Sequence, residues 1–110
     1  MQTPIATPLG ERLHGARCLV DLAARELDRL AQTTQGHTSL IESGVAKNIT
    51  MKTAARLAGA LGVTIDWLVN GTGDAPDAAS VQAAVDVARA RVADESGEHP
   101  AVDVVSSRVG

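Results

Sequence analysis

A single aromatic side chain, Trp67, stands in this chain of 110 residues; there is no Phe and no Tyr. Aromatic and β-branched residues favour strands, whereas Ala and Leu head the helix-forming series. A core built without rings must come from Leu, Val, Ile, Ala and Met, which points to packed helices. The chain is 45% hydrophobic, enough to fill such a core. Domains run roughly 100–150 residues, so one compact all-α domain with a tail is the expectation.

The punctuation divides the chain. Pro4 and Pro8 mark residues 1–8 as a flexible N-terminal arm. MQTPIATP has no basic region and no apolar run, so it does not read as a secretion signal. Two glycines and a proline in Gly71–Pro76 break the helix-forming pattern. The expected domain is therefore 9–73, followed by an Ala/Val-rich tail, 74–110. Charge splits at the same place. Residues 1–71 hold seven basic and six acidic side chains, a net +1, and residues 72–110 hold three and seven, a net −4. The acidity of the chain, −3 overall, belongs to the tail. This balance argues against a polybasic, non-specific binder of nucleic acid or membrane; it does not argue against a small localised basic face.

Five short helices fit residues 9–73. The first starts after Pro8 with Leu9, Leu13 and Ala16 on one face. The second spans about 22–31, with Leu27, Leu30 and Ala31 inward and Arg25, Glu26, Asp28 and Arg29 outward. Thr34 is placed to cap a third, 35–42, which Gly44 ends. The fourth runs from a Thr50 cap to Gly62, with Met51, Ala54, Ala55, Leu57, Ala58 and Leu61 as its apolar surface. Thr64 caps the fifth, 65–70, with Asp66 in its positive first turn and Gly71 at its end. In the tail, Val81, Val85, Ala88 and Val92 repeat at helical spacing behind a Ser80 cap. That helix, 80–94, reads either as one lying on the domain or partly formed, or as the seam of a two-helix dimer. Residues 95–110 read as disordered.

The stretch LDRLAQTTQGHTSLIESG, 27–44, places two short helices on either side of a tight break. That is the arrangement of a helix-turn-helix, whose second helix enters the DNA major groove. Together with the downstream TAARLAGALGVTIDWLVNGTG, 53–73, it resembles the Cro/cI-type (XRE, phage lambda repressor-like) DNA-binding domains of bacteria and phages. Leu27 falls on the first position of the family motif, Thr34 on the turn's Ser/Thr, Ser39 on its Ser, and Ile41, Glu42 and Gly44 on its ending. Departures are equally specific. Asp28 stands where the family carries a small Ala, Gln32 where it has the turn Gly, and Thr38 where it buries an Ile. Ala23 stands where a Ser caps the second helix, with Asp21 as the substitute cap.

The resemblance implies a five-helix, lambda-repressor-like domain with a partly helical or disordered tail. It implies a transcriptional regulator, a repressor in the first instance, that binds double-stranded DNA as a homodimer. Base contacts would come from Gln35, Gly36, Ser39 and Leu40. Gln can pair bidentately with adenine, and an outward Leu can meet a thymine methyl. Phosphate contacts would come from Thr34, His37, Ser43, Lys47 and Asn48, giving register without sequence information. Arg17 and Glu42 match an internal ion pair. Ile65, Leu68 and Val69 would form the dimer interface. Trp67 reads as core.

Enzymatic signatures are absent: there is no Gly-rich phosphate loop, HExxH, GxSxG or CxxC. Catalytic residues and a cofactor are not expected. His14 and Cys18 share a helix face, but zinc takes three or four ligands and no set is completed, so no metal is expected. One cysteine and no apolar run of membrane-spanning length suggest a reducing, cytoplasmic setting and no membrane. The competing reading is a helix-turn-helix interaction module, or an antitoxin, whose acidic tail binds a protein partner.

Overall fold

The computed structural model describes residues 7–46 and 48–95. Residues 1–6, Lys47 and 96–110, which include most of the expected arm and of the tail stretch read as disordered, lie outside them. Every element described is helical: α1 (Pro8–Cys18), α2 (Ala24–Ala31), α3 (His37–Glu42), α4 (Met51–Leu61), α5 (Ile65–Asn70) and α6 (Ala78–Glu95).

The ends of these helices follow from local chemistry. The Thr7 hydroxyl accepts from the Gly10 amide and Pro8 occupies the first turn, so α1 begins inside the expected arm. Thr50 and Thr64 cap α4 and α5 by accepting from the Thr53 and Trp67 amides. Gly44, Gly62 and Gly71 follow helices at positive φ. The caps expected from Asp21 and Ser80 do not form. Asp21 sits exposed at φ 53°, and α2 starts from Ala23 with no side-chain cap. At α6 the carboxylate of Asp77 accepts from the Ser80 amide at 2.8 Å, so Asp77 rather than Ser80 starts the helix. That hydrogen bond holds the Asp77 carboxyl below its usual pKa.

One aliphatic cluster runs through all six helices. It joins Leu9, Leu13, Ala16, Leu27, Leu30, Ile41, Leu57, Leu61, Trp67 and Leu68 to Val81, Val85, Ala88 and Val92. The core therefore crosses the Gly71–Pro76 break, and α6 packs on α2 and α4. The four residues of its expected apolar stripe, Val81, Val85, Ala88 and Val92, are buried against their own chain, while Val87 is exposed. Contact at Gly62 is close enough that a Cβ there would lie 2.6 Å from the Ala84 Cβ. In α4, Met51 and Ala55 turn out to face solvent, because α2, α5 and α6 take the other side of that helix. No described helix is long and apolar enough to cross a membrane.

Candidate nucleic-acid interface

Helix α3 is six residues long, too short to be stable by itself. Its two ends are held by different means. At the C-terminal end, Arg17 from α1 donates through Nε to Glu42 Oε2 at 2.9 Å and through NH2 to Oε1 at 2.7 Å. The same guanidinium donates to the Leu22 carbonyl at 2.8 Å. The Glu42 hydrogen bonds raise the Arg17 pKa above its ordinary value against the opposing effect of burial. His14 Nδ1 lies 3.0 Å from Glu42 Oε1 and adds a third arm. Here α1 and α3 approach closely: a Cβ on Gly10 would lie 2.7 Å from the Ile41 carbonyl oxygen.

At the N-terminal end the sequence expectation fails in an informative way. Asp28 is not outward but only 2% exposed. Its Oδ1 accepts from the Thr38 amide (2.9 Å), the Thr38 hydroxyl (2.7 Å) and the Thr33 hydroxyl (3.2 Å), and its Oδ2 from the Gly36 amide (2.8 Å). A buried carboxylate is tolerated when its lone pairs are met in this way. Thr34 is therefore not the cap of α3. Asp28, one helix earlier, takes that role, and α3 begins at His37 instead of Gln35. Gly36 holds φ 92° and Gln32 φ 59°, the left-handed geometry the turn needs. Thr38 is fully buried as Asp28's partner, so the two polar side chains satisfy each other inside the core.

With both ends tied, α3 turns Ser39 and Leu40 to solvent, and Leu40 is 47% exposed. Gln35 is exposed in the turn before the helix, Gly36 is its N-cap and His37 is half-buried. Thr34, Ser43 and Asn48 are also exposed; the Ser43 hydroxyl donates to the Leu40 carbonyl at 3.1 Å. Lys47 lies outside the described residues. An open groove lined by Arg25, Glu26, Asp28, Arg29, Thr33 and Gln35 joins the outer side of α2 to the start of this surface. Within it, Glu26 accepts from Arg29 at 2.7 and 3.0 Å, and Arg89 of α6 lies 3.5 Å away. The Arg29 hydrogen bonds, with a smaller contribution from Arg89, hold the Glu26 carboxyl below its usual pKa.

The residues expected at a dimer interface divide. Val69 is exposed and Ile65 half-buried, but Leu68 is fully buried in the core and has no surface to offer a partner. Arg12, not singled out by the sequence, fastens this region: Nε and NH2 donate to the Leu68 and Val69 carbonyls at 2.8 and 2.7 Å. A cation there meets the negative end of α5, and the bare backbone of Gly71 leaves room for it. Its signal was a basic residue one turn after Leu9, which charge alone does not assign to a partner 56 residues away. Cys18 Sγ lies 3.4 Å from His14 Nε2 on the exposed face of α1. Among the described residues no three His, Cys, Asp or Glu side chains are grouped to hold a metal. The chain matches no family model and no solved structure.

Proposed function

We propose that this chain is a sequence-specific DNA-binding regulator of the Cro/cI helix-turn-helix kind, with α2 as the positioning helix and α3 as the reader of the major groove. The observation that carries the reading is the treatment of α3. A six-residue helix is anchored at both ends by buried or half-buried polar groups, while Gln35, Ser39, Leu40 and Ser43 stay outward and serve no visible purpose in the core. An adaptable outward row of amide, hydroxyl and methyl groups is what base edges require. Arg25 and Arg29, on the groove beside Gln35, suit a phosphate backbone. Thr34, His37, Lys47 and Asn48 complete the proposed backbone contacts.

In this reading the protein binds as a homodimer on half-sites about one helical turn, ~34 Å, apart. Ile65 and Val69 remain on the proposed dimer surface and Leu68 does not. Protein-interaction and antitoxin readings draw less support from the fold, because α6 spends its apolar face on the domain's own core.

Selection of duplexes from a random pool, followed by titration of the selected site over a salt series, tests the proposal. The expected result is a steep loss of affinity with salt and a preference of about 10³-fold or more over unrelated duplex. Failure to enrich any sequence, with flat and weak binding throughout, refutes DNA recognition and favours a protein partner.

A further inference from the structure

We infer that Asp28 and Thr38 form a positioning pair that sets which side chains α3 turns outward, and that Asp28, by taking the Gly36 and Thr38 amides, withdraws these two backbone donors from an incoming phosphate. The inference rests on the DNA reading of α3 and adds a determinant of its specificity.

Apolar contacts between two helices are non-directional, and a helix can roll on them at little cost. Hydrogen bonds fade steeply away from linearity. Asp28 makes four of them, to three residues spread over the turn and the first helical residues. They pin Thr33 in the turn, Gly36 at the cap and Thr38 inside the helix to one side chain of α2. Rotation of α3 about its axis would break the Thr38 amide and hydroxyl contacts together. Since Ser39 and Leu40 follow Thr38 directly, the inward direction of Thr38 fixes their outward one.

The same bonds have a second effect. Free amides at a helix start commonly hold a phosphate, whatever the base sequence. Here the Gly36 and Thr38 amides are taken by Asp28 and the His37 amide by the Thr34 carbonyl at 3.0 Å. A fixed carboxylate also lies beneath this end and disfavours an incoming anion. With these amides occupied, base reading falls to the side chains of Gln35, Ser39 and Leu40, and contacts through them depend on sequence.

The test compares the wild type, Asp28→Ala and the double variant Asp28→Ala/Thr38→Val on the selected duplex and on unrelated duplex. Asp28→Ala leaves the Thr38 hydroxyl and the Gly36 and Thr38 amides without their acceptor, and Thr38→Val removes the hydroxyl from that set, so the double variant is expected to regain part of the melting temperature that the single variant loses. Its preference for the selected duplex is nevertheless expected to fall about tenfold or more, the size of one lost base contact. Binding to unrelated duplex is expected to hold or rise. Recovery of both melting temperature and preference would reduce the pair to a packing role and overturn the inference. If the double variant does not fold, Thr38→Ser and Thr38→Val carry the comparison: Ser, which keeps the hydroxyl, should preserve the preference and Val should lower it, and equal preferences overturn the inference. Amide exchange reads the positioning without DNA. The Gly36 and Thr38 amides should exchange faster in the variant lacking Asp28 while core amides keep their protection; unchanged exchange at both overturns the inference. If the wild type selects no duplex but these amides respond as expected, the DNA reading falls and the positioning of α3 by Asp28 stands.

Discussion

Replacing Glu42 with Ala removes the acceptor that ties the end of α3 to α1, and the structure sets the size of the effect. Arg17 meets Glu42 through two nitrogens at 2.9 and 2.7 Å, and the two side chains keep only 16% and 12% of their surface. Exposed ion pairs are worth about 0–1 kcal/mol, whereas breaking a buried one costs about 3–5 kcal/mol. This pair lies nearer the buried limit, but its remaining exposure lets water reach Arg17, and the Leu22 carbonyl still accepts from it. The expected loss is about 2–3 kcal/mol. Trp67, in the core at 9% exposure, supplies the fluorescence signal for urea unfolding. With a slope of about 1.2 kcal/mol/M for a domain of this size, the midpoint should fall by about 2 M at unchanged slope. Glu42→Gln keeps one acceptor and should lose roughly half as much. Glu26→Ala, which breaks an exposed pair on α2, should lose under about 1 kcal/mol. A Glu42→Ala loss no larger than that of Glu26→Ala would refute the anchoring role.

Val85→Ala on α6 should destabilise the whole domain by about 1.5–3 kcal/mol in the same Trp67 assay, because that side chain is fully buried in the common core; an unchanged midpoint would make α6 an independent appendage. Gly62→Ala should lower the midpoint by forcing a Cβ against Ala84 at a positive φ, with a cost of about 1–3 kcal/mol. Glu26 is held below its ordinary pKa in the fold, so it binds protons less readily there than in the unfolded chain. Its contribution is complete above about pH 4.5, the ordinary value, and is lost as the pH falls through the lowered one. Glu26→Gln should accordingly flatten the acid limb of stability against pH, and a limb as steep as the wild type's would contradict the assignment. Gln35→Ala should relax the preference at one base pair of the selected site by about 1–3 kcal/mol, read from competition binding. An unaltered base preference would mean that the turn before α3 does not face the groove.

The candidate surface residues Ser39, Leu40 and Ser43 came from the resemblance to a helix-turn-helix. They lie outward in the fold because Thr38 and Ile41 take the buried side of α3. Arg17 and Glu42 were legible only through a resemblance, since 25 residues separate them. Asp28 was misassigned to solvent. A charged residue among Arg25, Glu26 and Arg29 reads as one more member of a solvated face, and nothing local reveals that four donors, three of them from residues 36 and 38, would converge on it. A buried acid is intelligible only with its partners in place.

The helical class, the breaks at Gly44, Gly62 and Gly71, and the Thr50 and Thr64 caps are written in the order of residues, because each rests on interactions spanning no more than one turn. The scarcity of aromatic rings belongs to the same level, for it limits the core, Trp67 apart, to aliphatic side chains before any packing is specified. Three other matters waited on the packed fold: the inward turn of Asp28 with Thr38, the closure of Arg12 on the end of α5, and the burial of Val81, Val85 and Val92 of α6 in the same core as Leu30 and Leu57. Each joins residues on different helices. Burial, directed hydrogen bonds and the exclusion of water arise only when those helices meet, so a side chain's polarity alone could not say which face it would take.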